Sequence, residues 1–189
     1  MYLGSALGAL HAGSAYTRQY TRAWPYGGDN KDSALDEFYI LEKYGTYRAH
    51  LAAAEALCDH CGNEVTRLYA DADAAAHGGQ SNGHTNGYTN GNSAHVDAAP
   101  GRASISARRR GELAALVAHA KVVTTDTGLE VTSGIYEMLG SRATARKAGY
   151  DRFWRDIRTH SLHDPVAYKR REVGRLQLLD EIPEPTWYT

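Results

Sequence analysis

Apolar and small residues at helical spacing open the chain. Leu3, Leu7, Leu10 and Ser14, supported by Ala6 and Ala9, recur on one face from the start to about Thr21. The run Trp24-Pro25-Tyr26-Gly27-Gly28 breaks that helix, because proline excludes helical backbone at the residue before it and a glycine pair favours a turn. A second helix is predicted from Asp32 or Ser33, either of which can accept the free N–H groups of a first turn, to about Ala76. Within it Leu51, Ala54, Cys58, Cys61, Val65 and Leu68 alternate steps of three and four, the narrow stripe by which one helix lies along another. A third helix runs from about Ser106 through Leu113, Leu116, Val117, Ala120, Val131, Ile135 and Met138, and Gly140-Ser141 ends it. Thr124, Thr125 and Thr127 in its middle lower helix propensity; packing between helices would explain them, and so would contact with a ligand. An aromatic segment, Asp151 to Arg158, leads into a predicted loop, His160-Ser161-Leu162-His163. A last helix opens at Asp164-Pro165 and runs to about Leu179. The expected fold is all-α: an antiparallel four-helix bundle of three long helices and a split fourth.

Residues 77–101 depart from this pattern. They carry a loose Asn-Gly repeat and almost no aliphatic side chain, so they cannot bury enough surface to offset their ordering entropy. They read as a disordered loop inserted between two core helices. His77, His84 and His95 are too unevenly spaced in such a tract to indicate a metal, and none is predicted. Residues 1–189 thus read as one domain with an insertion and a tail, 181–189. Pro183 and Pro185 stiffen the tail, and Trp187 and Tyr188 are expected to dock on a partner subunit in preference to the chain's own bundle.

Charge and cysteine usage narrow the function classes. The formal net charge is -1, so no global field argues for nucleic acid or an anionic membrane, and no apolar stretch approaches the roughly 20 residues of a membrane span. Arg108-Arg109-Arg110 is the one dense basic run and reads as a solvated helix face. The two cysteines, Cys58 and Cys61, are far too few for a secreted disulfide scaffold. They lie on the predicted packing stripe without a second ligand pair, which favours packing over redox or zinc chemistry. No Lys or Arg precedes Arg18, so a signal peptide is not expected, and an intracellular, cytoplasmic setting is.

The chemistry concentrates between Arg152 and Pro165. Two histidines three apart, His160 and His163, are followed by Asp164 at the predicted start of a helix. Free N–H groups at such a terminus favour a neutral imidazole, which can act as a base near pH 7. Two readings stand for Asp164. Asp before Pro is a common helix start, with the carboxylate as cap, and a carboxylate beside histidine also suits a catalytic site.

The stretch Trp154-Arg155-Asp156-Ile157-Arg158 through His163-Asp164-Pro165 resembles the C-terminal region of acyl-CoA dehydrogenases. More closely, it is similar to their flavin-dependent monooxygenase relatives, the dibenzothiophene desulfurisation and sulfur-acquisition group. Where the dehydrogenases read Tyr-Glu-Gly-Thr, with Glu able to serve as base, this chain reads His163-Asp164-Pro165-Val166. The resemblance implies FMN or FAD as cofactor, with His163 and His160 beside the flavin in proton transfer and Asp164 orienting one of them. It implies oxygenation of a sulfur-containing or similar small organic substrate through a flavin C4a-hydroperoxide, which must be kept from water. Arg22, after the first helix, matches an Arg that reaches the flavin phosphate of a neighbouring subunit; a cation favoured by the helix C-terminus is its other reading. Gly140 and Ser141 fall where the dehydrogenases carry a Gly-Gly flavin contact. Glu137, in place of their Gln, would repel a phosphate. The resemblance also implies a homo-oligomer, a tetramer in the family, and a possible separate flavin reductase. A full subunit of that kind has an N-terminal helical domain, a middle β-domain and this bundle, so the chain as it stands is expected to be a fragment, inactive alone. Two alternatives remain: an acyl-CoA dehydrogenase-like oxidoreductase with Asp164 as base, and a bundle that acts only in subunit assembly.

Overall fold

Small residues let the first helix sink into the bundle. Helix α1 (Tyr2–Tyr20) buries Tyr2, Ala6, Ala9, Leu10, Gly13 and Thr17, one face at steps of three and four. The computed structural model describes residues 1–26, 31–77 and 105–185. Beyond the Trp24-Pro25 turn a short 3-10 turn, Ala34–Asp36, precedes α2 (Phe38–His77). Ser33 does cap, accepting the Leu35 amide at 3.1 Å, but it caps the 3-10 turn and not the long helix. Glu37 explains the later start. Its backbone is extended, and its buried carboxylate accepts the Trp24 amide at 2.7 Å and Lys31 Nζ at 2.9 Å, which pins the connection.

Helix α3 (Ala107–Gly134) is capped by Ser106, whose Oγ accepts the Arg109 amide at 3.2 Å. It ends before Gly140, contrary to expectation. The chain turns at Gly134-Ile135, α4 (Tyr136–Leu139) adds one turn, and Gly140 takes a φ of 82°, a conformation that favours glycine. Two 3-10 turns, Ser141–Thr144 and Arg146–Ala148, lead to α5 (Asp151–His163) and α6 (Val166–Leu179). The predicted loop at His160–His163 is therefore helix. Pro165 disfavours helix only at the residue before it, and Asp164 is the residue that turns extended, with φ -123° and ψ 93°. The cap reading of Asp164 is corrected with it: Pro165 is the N-cap of α6, and no side chain caps that helix.

Cross-contacts give an up-down-up-down bundle. Glu64 meets Arg109 and His50 meets Glu130, so α2 runs antiparallel to α3. The Tyr2 hydroxyl meets His160 and the Tyr150 hydroxyl meets the Ala12 carbonyl, so α5 runs antiparallel to α1. Arg108 meets Asp180 while Lys121 meets Asp164, so α6 continues the descent along the first half of α3. Helices α5 and α6 in series are the split fourth member, and α3 packs against α1, α2, α5 and α6.

The core between them holds Ala9, Ile40, Tyr47, Leu51, Val131, Ile135 and Met138, all 2% exposed or less. A Cβ at Gly134 would run into the Tyr47 hydroxyl, so glycine there is what admits α2 so closely. Thr124 and Thr125, and with them Thr132, each donate to the carbonyl four residues back at 2.7 Å, so these buried hydroxyls are satisfied within the helix. Leu51, Ala54 and Leu68 of the α2 stripe are buried, and Cys58 and Cys61 are half-buried free thiols. Burial pushes both thiols above their ordinary range, as packing residues should be. His77 closes α2; the rest of the expected insertion, with His84 and His95, lies outside the described residues, as do Trp187 and Tyr188.

Candidate functional site

The two histidines stand in the last turn of α5, where the free backbone groups are carbonyls. That end offers acceptors, not the N–H donors expected of a helix start. Both imidazoles are exposed. His160 is nonetheless fixed: its Nδ1 lies 2.7 Å from the hydroxyl of Tyr2, and the two rings meet edge-on at 5.1 Å and 83°. Tyr2 itself is buried at the first turn of α1. Burial pushes its phenol above the ordinary range, a hydrogen bond with Thr125 pulls it down, and the Asp164 carboxylate pushes it up again. Asp164 pairs with Lys121 of α3, and both side chains are more than two-thirds withdrawn from solvent, at 28% and 15% exposed. Among the described residues, then, Asp164 pairs with Lys121, and the side chain in hydrogen-bond contact with His160 is that of Tyr2.

Gly128 permits this gathering. A Cβ there would lie 3.0 Å from Ile157 of α5, tighter than ordinary contact, so glycine eases the approach of α5 to α3, while the Tyr2 carbonyl would stand at an ordinary 3.6 Å. Tyr2 and Lys121 were missed by the sequence reading, which had marked Thr125. Lys121 did carry a signal, as a lone cation in the apolar and threonine-rich middle of α3. Tyr2 carried none, because its partner is 158 positions away.

Arg22, Gly140 and Ser141 are brought together, but elsewhere. They line an open groove of about 310 Å³ with Trp24, Tyr39 and Arg142. A neighbouring groove of about 830 Å³ shares Arg22 and Arg142 and adds Lys147. Thr21 Oγ1 donates to the Leu139 carbonyl at 3.2 Å and Thr17 Oγ1 to that of Met138 at 3.4 Å, which ties the end of α1 to α4 and sets Arg22 beside Gly140. Among the described residues no carboxylate pairs with Arg22 or Arg142; Glu137 also lines the groove, and its carboxylate faces Lys43 at 3.3 Å. The groove therefore presents uncommitted cations, the chemistry that receives a phosphate. Tyr2 and Arg22 sit at opposite ends of α1, about 28 Å apart at roughly 1.5 Å per residue. Among the described residues, the two histidines and the groove at Arg22 lie apart, at opposite ends of α1.

Comparison with known proteins gives these two places a context. The description "Acyl-CoA dehydrogenase, C-terminal domain" matches residues 90–167. The dibenzothiophene monooxygenase of Mycolicibacterium goodii is 34% identical over 185 residues, 98% of this chain and 37% of that relative. A probable FMNH2-dependent monooxygenase, SfnC, of Pseudomonas putida is 29% identical over 189 residues, covering 100% of this chain and 40% of its own. The crystal structure of TdsC from Paenibacillus sp. A11-2 with FMN and indole superimposes with a TM-score of 0.78 at 36% identity, covering 100% of this chain and 40% of that one. The chain thus spans well under half the length of the relatives it matches.

Proposed function

We propose that this chain, which carries the acyl-CoA dehydrogenase C-terminal fold, supplies part of the flavin site of a monooxygenase that oxygenates a sulfur-containing or similar small organic substrate, with FMN as cofactor. The observation that carries the proposal is its likeness, over the whole of this chain and 40% of the other, to TdsC, a dibenzothiophene monooxygenase crystallised with FMN and indole. Bound and reduced, the flavin supplies the electrons with which oxygen is activated. Arg22 and Arg142 receive its phosphate, in keeping with their freedom from carboxylates among the described residues, and Gly140 and Ser141 offer backbone at the same groove. His163 and His160 hold and deliver protons at the other end of the bundle. The groove that holds Arg22, Gly140 and Ser141 is open, so further walls must close it over a bound ring.

The separation of histidines and cations along α1 exceeds the span of one FMN. The reading therefore assigns the two ends of a chain to different flavins, in a homo-oligomer whose subunits share sites, with a separate flavin reductase supplying FMNH2. Residues 1–189 are taken as one domain with an insertion at 77–101. The dehydrogenase alternative loses ground because Asp164, its base, is already engaged by Lys121. The assembly-only alternative draws on the exposure of both imidazoles.

The test is product analysis with the longest protein encoded by the reading frame that contains this chain. With FMNH2, oxygen and a thioether or thiophene, the sulfoxide is expected. Acyl-CoA-dependent bleaching of bound FAD without oxygenation would reverse the order of the two enzyme readings, and neither reaction would leave assembly alone.

A further inference from the structure

Resting on the reading that His160 moves protons, we propose that Tyr2 is a positioning residue: it anchors Nδ1 of His160 so that Nε2 is the atom presented to the site. Three observations carry this. The hydroxyl and Nδ1 stand 2.7 Å apart, the rings lock edge-on at 5.1 Å and 83°, and the phenol belongs to a buried side chain while the imidazole is exposed. An imidazole at the end of a helix would otherwise turn about two side-chain bonds and choose freely between tautomers. Held at Nδ1 by a group rooted in another helix, it keeps one edge inward and the opposite edge, with Nε2, outward.

The rest of the cluster makes Tyr2 a support and not a shuttle. The buried phenol keeps its proton, and Thr125, which bonds it, returns its own proton to the Lys121 carbonyl at 2.7 Å. Asp164 faces Lys121, so the carboxylate does not compete for His160. Nothing here depends on a motif near the histidines; the orienting group comes from the far end of the chain.

Two measurements test it, and they fail independently. In the chain as it stands, long-range nitrogen-15 NMR at a pH where His160 is neutral should show a single tautomer with Nδ1 hydrogen-bonded. Tyr2→Phe, which keeps the ring contact, should convert it to a mixed population. The same tautomer balance in both proteins would overturn the positioning role. In the longest encoded protein, Tyr2→Phe should lower kcat about fivefold, the worth of one hydrogen bond, with KM for FMNH2 unchanged. His160→Ala should lose more, and adding Tyr2→Phe to it should cost nothing further, because the tyrosine acts through the histidine. Additive losses would overturn the proposal. A tautomer shift accompanied by full turnover in His160→Ala would instead sink the proton-transfer reading of His160.

Discussion

Lys121 of α3 and Asp164, between α5 and α6, form an ion pair across the bundle. It fastens the break in the fourth helix to the middle of the third, directly below the turn that carries His160 and His163. Removing one partner leaves the other charge largely withdrawn from water. Lys121→Met is expected to destabilise the chain by about 1–2 kcal/mol, and Asp164→Asn by a similar amount. In the double variant the losses should be less than additive. Denaturant unfolding measures this, and strictly additive losses would show that the pair does not couple.

Gly134 offers a second test of packing. Its missing side chain is what lets the buried Tyr47 hydroxyl approach α3. Gly134→Ala should cost about 1–3 kcal/mol through overpacking. Adding Tyr47→Phe, which removes the obstructing oxygen, should restore part of that loss. A thermal melt of the two proteins distinguishes rescue from simple accumulation of damage.

How much of this was legible beforehand follows from the range of each interaction. The α1 face of Ala6, Ala9 and Leu10 and the α2 stripe through Leu51, Ala54 and Leu68 repeat locally, so periodicity reveals them. The break at Asp164-Pro165 was also local, but which residues fall on its helical side depends on proline's reach, which stops at the preceding residue. Hence His160 and His163 moved from a loop to the end of a helix. Arg22, Gly140 and Ser141 line one groove, a meeting of the end of α1 with the end of α4 that no local pattern announces. Tyr2 with His160 and Lys121 with Asp164 are pairings across the bundle, and no local pattern announces them.

Alkali should weaken the fold. Burial raises the thiols of Cys58 and Cys61 and the phenols of Tyr2, Tyr44, Tyr47 and Tyr150 above their ordinary values. A group that holds its proton more tightly when folded stabilises the native state fully below its unfolded pKa, and that contribution is lost as pH rises through the folded value. The contribution of these groups should therefore be constant through neutral pH and fall above roughly pH 9, where unfolded thiols and then phenols begin to ionise. Iodoacetamide should modify both cysteines more slowly at pH 7.5 than it modifies a free thiol. Rapid alkylation there would contradict the packing assignment.

The phosphate groove predicts a ligand preference. In the longest encoded protein, FMN should bind more tightly than riboflavin, which lacks the phosphate. Arg22→Ala and Arg142→Ala should each lower FMN affinity roughly tenfold while leaving riboflavin affinity in place. Equal losses for both ligands would remove the guanidinium groups from phosphate recognition.

The most direct test of the account is the yield of oxygenated product per FMNH2 consumed, compared between the longest encoded protein and its His163→Ala variant. Loss of a proton donor at the reacting centre should lower product formation about a hundredfold with FMN affinity retained. Unchanged product yield in the variant would contradict the central claim that the end of α5 serves a flavin site.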